Sequence, residues 1–80
     1  DSNNHGQADI TIILSHHIYV MEVKVVDNLP KGNNIALDQI IQRKYAEKYW
    51  NIDGISVHAV GLVFNKTERN LVQADYLTTP

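Results

Sequence analysis

The sequence predicts an α+β fold: one mixed sheet built from two hairpins, with a single helix between them. Three observations carry this. Aliphatic and β-branched runs come in two pairs, Ala8–Leu14 with Ile18–Val26 and Ser56–Phe64 with Asn70–Leu77, each pair split by a short polar break. Between the pairs lies "IALDQIIQRKYAEKYW", Ile35–Trp50, a stretch without Gly or Pro and rich in helix formers. Finally, the 80 residues are enough for one small domain only, and a chain of this size buries roughly 60% of its unfolded surface.

Residues 1–6, "DSNNHG", are polar and read as a flexible entry. In the first hairpin, "SHH" is the only polar break. A two-residue turn at Ser15 and His16 would set Leu14 opposite His17 and Asp9 opposite Glu22; a three-residue turn would shift the pairing by one. "DNLPKGNN", Asp27–Asn34, is turn chemistry, and Asn33 or Asn34 can cap the helix. Along the helix Leu37, Ile41, Tyr45 and Tyr49 recur near helical spacing with Ile40 beside them, and "NIDG" ends it. "NKTER" reads as the turn of the second hairpin. Both faces of the first hairpin are apolar, with Ile10, Ile12 and Leu14 on one and Ile13, Ile18 and Val20 on the other. One helix covers one face. The other is expected to need a partner, either a second copy of the chain or an N-terminal part of a larger protein.

Composition narrows the function classes. A formal net charge of −2 gives no support to a general nucleic-acid coat protein. The absence of cysteine rules out disulfides and thiolate metal sites and suits a reducing, cytoplasmic setting. No apolar run approaches the ~20 residues of a membrane span, and nothing has the pattern of a signal peptide.

Three charges interrupt the most apolar hairpin: Asp9, Glu22 and Lys24. Alternation puts Glu22 and Lys24 on one face, and the two-residue turn puts Asp9 across from Glu22 with Cβ atoms ~5 Å apart. Two carboxylates that close in an apolar sheet need a proton or a cation between them. Lys24 supplies part of that charge, and a hard divalent ion such as Mg²⁺, which takes few protein ligands, would supply the rest. A structural ion-pair cluster on an open sheet face is the alternative. His16 and His17 read as turn residues with a metal role as the lesser alternative, His5 as part of the entry, His58 as a packed strand residue, and Arg43, Lys44 and Lys48 as a solvated helix face whose functional reading is contact with phosphates.

The spacing "QAD…MEVK" resembles the core of the PD-(D/E)XK nuclease superfamily, with Ala8 where its usual Pro precedes the Asp. The likeness extends to the C-terminal nuclease-like domain of bacterial AAA-ATPase-like proteins. It runs through Gly6 and Asp9; Tyr19, Glu22 and Lys24; Ala36, Leu37, Gln39 and Ile40; Arg43, in place of a Lys, and Tyr45; Val60, Gly61 and Phe64; Arg69 and Asn70. The resemblance implies a restriction-endonuclease-like core over the single domain 1–80. In it Asp9, Glu22 and the Val23 carbonyl would bind Mg²⁺, with Mn²⁺ able to substitute. Lys24 and Gln39 would act on the attacking water and the DNA phosphate, and Tyr45 would support the site. The superfamily core also begins with a helix before the Asp strand, which residues 1–5 cannot supply.

Overall fold

The computed structural model describes residues 7–79. Strand β1 (Ile10–Ile13) and strand β2 (His17–Val26) form the first hairpin; helix α1 (Ile35–Arg43) and a 3-10 turn (Glu47–Tyr49) follow; strands β3 (Ser56–Asn65) and β4 (Asn70–Thr79) form the second hairpin. The sheet order is β1-β2-β3-β4. The outer pairs are antiparallel and the central β2–β3 pair is parallel, giving the mixed α+β sheet that the sequence predicts. The expectations for His5, Gly6 and a flexible 1–6 lie outside the described residues.

The register of the first hairpin is that of the two-residue turn. Ile13 pairs with Ile18 and Ile10 with Met21, and the Leu14 N–H donates to the His17 carbonyl. In the parallel pair Glu22 lies beside Gly61 and Lys24 beside Val63, and across the second hairpin Gly61 lies beside Asp75.

Helix α1 covers one face of the β2–β3 pair. Ala36 and Ile40 are both buried, and Ile40 packs in one cluster with Ile18, Val20, Val57 and Ala59. Gly61 fixes how low the helix sits. A Cβ there would lie 2.8 Å from the Leu37 Cα and 2.6 Å from the Asn34 Oδ1, and closer still to the Leu37 N, so only glycine admits the first turn of α1. Asn34, itself buried, ties that turn down. Its Oδ1 accepts from the Leu37 N–H as an N-cap, and its Nδ2 donates to the Gly61 carbonyl at 2.9 Å and to Asp75 Oδ2 at 3.0 Å.

The helix is shorter than the Ile35–Trp50 expected. It stops at Arg43, where Lys44 adopts the left-handed conformation (φ 59°) and its N–H bonds back to Ile40 and Ile41. The turn at Lys44 brings Tyr45 and Ala46 into the core, burial that a straight continuation would not give. The expected stripe changes with it: Ile40 is the buried anchor, while Ile41 stays 47% exposed.

The opposite face of the sheet has no helix on it among the described residues. No Asp, Glu, Lys or Arg of the four strands points there. Ile10, Ile12, Val25 and Tyr76 lie exposed on it, Tyr76 at 69%.

Candidate active site

Strand alternation and the hairpin register bring three charged side chains to the helix-covered face. Asp9 stands just before β1, in line with Glu22 on β2. Glu22 is only 4% exposed. Its Oε1 accepts from the Asp9 backbone N–H at 3.3 Å, and its Oε2 accepts from Gln39 Nε2 at 2.9 Å. Lys24 Nζ lies 3.7 Å from the same Oε2, with its side chain one-third exposed. Asp9 Oδ2 accepts from the Val23 N–H at 2.9 Å, which locks the aspartate onto the strand that carries Glu22. Gln39 reaches Glu22 because Gly61 lets α1 sit close to the sheet and Asn34 holds it there.

These contacts set the electrostatics. Burial raises the Glu22 carboxyl above its ordinary value of 4.5, and the Asp9 charge raises it further; the Asp9 N–H and Lys24 pull in the other direction. A single ammonium therefore sits beside two carboxylates, one of them largely out of water. The donor set is all oxygen: two carboxylates, plus a Val23 carbonyl that leaves β2 on the same side as the N–H bonded to Asp9. Among the described residues no three His, Asp or Glu side chains are grouped to hold a metal. A small hard cation bound through one or two carboxylates and several waters fits this pair; a fully protein-lined cage does not. The existing hydrogen bonds leave acceptor capacity, since each carboxylate oxygen carries more than one lone pair.

The other expected residues sit apart from this cluster. Tyr45 is 3% exposed and belongs to the core. Arg43 is exposed in the last turn of α1, one turn beyond Gln39 on the same side of the helix. Lys44 lines a groove with Ile41, Trp50 and Leu77, toward the β4 edge of the sheet rather than the β1 edge where Asp9 stands. Lys48 is exposed on the 3-10 turn, its Nζ 5.4 Å from the Tyr49 ring centroid. The basic side chains thus form no single patch with the carboxylates.

Asn34 and Asp75 were not among the residues the sequence pointed to for this site. Asn34 was legible only as a cap; its second bond needs Gly61, brought beneath the helix by the strand crossover. Gln73 is similar: its Nε2 donates to the Gly32 carbonyl, pinning the loop before α1, while its Oε1 is buried with no hydrogen-bond partner among the described residues.

A sequence model of the PD-(D/E)XK nuclease superfamily matches residues 1–74, most of the chain. The chain belongs to that superfamily. As a PD-(D/E)XK nuclease-like domain it has the restriction-endonuclease-like arrangement of a mixed sheet with a helix packed on the strand that bears the Glu-x-Lys pair. It is also similar to an uncharacterized protein encoded in the vnfD 5′ region of Azotobacter chroococcum mcd 1, with 36% identity over 72 residues. The match covers 90% of this chain but 13% of that protein, so the domain spans about one-eighth of the relative's length. No solved structure matches the chain. Members of the superfamily typically depend on divalent metal, in keeping with the oxygen donor set. No helix among the described residues is long and apolar enough to cross a membrane.

Proposed function

We propose that this PD-(D/E)XK domain is a metal-dependent phosphodiesterase acting on DNA, with its site at Asp9, Glu22, Lys24 and Gln39. The observation that carries the reading is the convergence on Glu22: a nearly buried carboxylate in register with Asp9, bonded by Gln39 and within 3.7 Å of Lys24. Asp9, Glu22 and the Val23 carbonyl would hold Mg²⁺, or Mn²⁺ in its place. Bound there, the ion would lower the pKa of a coordinated water and offset the charge of the scissile phosphate.

The chain's own groups divide the remaining work. Lys24 is partly exposed and tethered to Glu22, so its ammonium orients the attacking water and faces the negative charge that grows on the phosphoryl oxygens. Gln39 donates from Nε2 to Glu22 Oε2, which leaves its Oε1 to accept from the attacking water and its second Nε2 hydrogen to donate to phosphate. Tyr45 supports the site indirectly, by anchoring the chain after α1. Arg43, Lys44 and Lys48 would offer phosphate contacts from separate positions at and beyond the end of α1, and not as one patch. The ordered motif set further supports a place inside a longer, cytoplasmic, AAA-ATPase-like protein.

A second reading has its own observation. The charge-free sheet face supports an interaction module of nuclease-like fold, catalytically weak and self-associating as a homodimer through that face. The deciding experiment pairs plasmid nicking in Mn²⁺ with thermal melting, for parent and Lys24→Ala. The nuclease reading expects the parent to nick, and Lys24→Ala to lose nicking while melting within ~1 kcal/mol of the parent, because the lost ion pair is partly exposed. A parent that never nicks and binds no Mn²⁺ between Asp9 and Glu22 overturns it.

A further inference from the structure

Helix α1 and strand β1 run side by side away from the carboxylates, toward the turn at Ser15–His16. The register sets Asp9 in line with Glu22, then Thr11 against Val20 and Ile13 against Ile18, all on the helix-covered face. The helix takes the same direction: Leu37 lies over Gly61, the neighbour of Glu22, and Ile40 packs with Ile18 and Val20, nearer the turn. Gln39 reaches Glu22 on one flank of α1, while Ile41, on the opposite flank, lines the groove beside Leu77 of β4. Arg43 stands four residues after Gln39, so it shares the Gln39 flank and lies ~6 Å farther toward the turn. Thr11 stands two residues after Asp9, ~7 Å farther in the same direction. Both side chains are exposed, and Arg43 has no ion pair among the described residues.

We propose that Arg43 and Thr11 form a subsite for one phosphate adjacent to the scissile phosphate on the same DNA strand. This subsite presupposes the phosphodiesterase proposed above and says how its substrate lies: along β1, in the channel between that strand and the Gln39 flank of α1. The step from the Asp9–Gln39 rung to the Thr11–Arg43 rung is ~6–7 Å on both walls, on the order of the distance between successive phosphates along one strand. The chemistry matches the position. A guanidinium fork takes both free oxygens of a phosphodiester, and a hydroxyl donates to one of them. Charge brackets the carboxylates along the strand axis, with Lys24 two residues from Glu22 on one side and Arg43 on the other. The polar track is short. Ile13, next on the same face of β1, is 65% exposed and its side chain has no donor, so the channel holds one neighbouring phosphate and not a run of them.

The test digests an end-labelled DNA oligonucleotide in Mn²⁺, with a single uncharged methylphosphonate linkage at its centre. The parent should lose cleavage at that linkage and, by about tenfold, at one of the two linkages beside it, where the neutral group occupies the subsite. Arg43→Ala should cut every normal linkage about tenfold less, with Mn²⁺ affinity and melting unchanged, and should no longer discriminate against the linkage beside the neutral group. Arg43→Lys should restore part of the rate, and Thr11→Val should cost about threefold. Lys48→Ala removes an equal charge elsewhere and should keep the parent's pattern. A parent that cuts both adjacent linkages as well as the rest, or an Arg43→Ala chain that still avoids one of them, overturns the subsite and leaves the nuclease reading standing. If the parent binds Mn²⁺ without cleaving, DNA affinity in Ca²⁺ decides: the salt dependence of Arg43→Ala should be shallower by about one phosphate contact, and an unchanged slope overturns the subsite. A chain that neither cleaves nor binds Mn²⁺ overturns the subsite and the nuclease reading together.

Discussion

Gly61→Ala tests the geometry that brings α1 to the sheet. The new Cβ would stand 2.6 Å from Asn34 Oδ1 and 2.8 Å from Leu37 Cα, against ordinary contacts of 3.4–4 Å. Relief requires the first turn of α1 to rise by ~1 Å, because the Leu37 obstacle is helix backbone and the Asn34 side chain is held in place by its hydrogen bonds. Overpacking of this kind costs ~1–3 kcal/mol, and stretching the Asn34–Gly61 bond, now 2.9 Å, costs about 1 kcal/mol more. A loss of about 2–4 kcal/mol in a domain of this size lowers Tm by roughly 10–25 °C. The same rise would carry the Gln39–Glu22 bond from 2.9 Å past hydrogen-bonding distance. Thermal melting by circular dichroism reads the first effect, and the amide signals of the Gln39 side chain read the second. Gly32→Ala is the internal control: it meets nothing within 4 Å, and should be neutral or stabilise by ~0.4–1 kcal/mol. A Gly61→Ala chain that melts within about 3 °C of the parent, with the Gln39 signals unmoved, refutes the close-approach argument.

Asp9→Asn should remove most Mn²⁺ affinity by calorimetry, since it deletes one of two charged donors. Without metal, the raised Glu22 carboxyl means that the folded chain holds more protons than the unfolded one above pH 4.5, so stability should fall as pH rises from there through the folded-state value. Glu22→Gln should abolish that slope and melt higher than the parent at neutral pH; urea melts across the pH range read both. Lys44→Gly should stabilise by ~1 kcal/mol, because the left-handed C-cap at φ 59° penalises a side chain. Light scattering at tens of micromolar should show self-association through the charge-free face, and a strictly monomeric chain counts against it.

Much of the site was legible because it is local. The turn at Ser15–His16 sets the hairpin register, and the register sets Asp9 against Glu22. A cap at Asn33 or Asn34 followed from residue type and position, and the structure selects Asn34. What escaped the sequence depends on distant parts of the chain. The end of α1 at Arg43 carries no Gly or Pro signal; it is decided by the burial of Tyr45 and Ala46 against strands from both hairpins. His58 reads as a packed strand residue until the parallel pairing puts it on His17, 41 positions away. Ile41 fits the helical stripe by spacing, yet Ile40 is the residue that packs in the core while Ile41 stays exposed.

The parallel β2–β3 pair has a kinetic consequence. Every rung joins residues 39 positions apart, from 17 with 56 to 26 with 65. Each hairpin closes a short loop and forms within microseconds, whereas the central pairing must first close the long crossover through α1. Early in folding, Asp9 and Glu22 therefore meet inside a hairpin that lacks Gln39 and the burial supplied by the helix. The charge pair is then expected to form before its environment does, with the docking of the two hairpins around α1 as the slow step. Amides of β2 and β3 should then exchange with solvent only through global unfolding, while those of β1 exchange through local fraying.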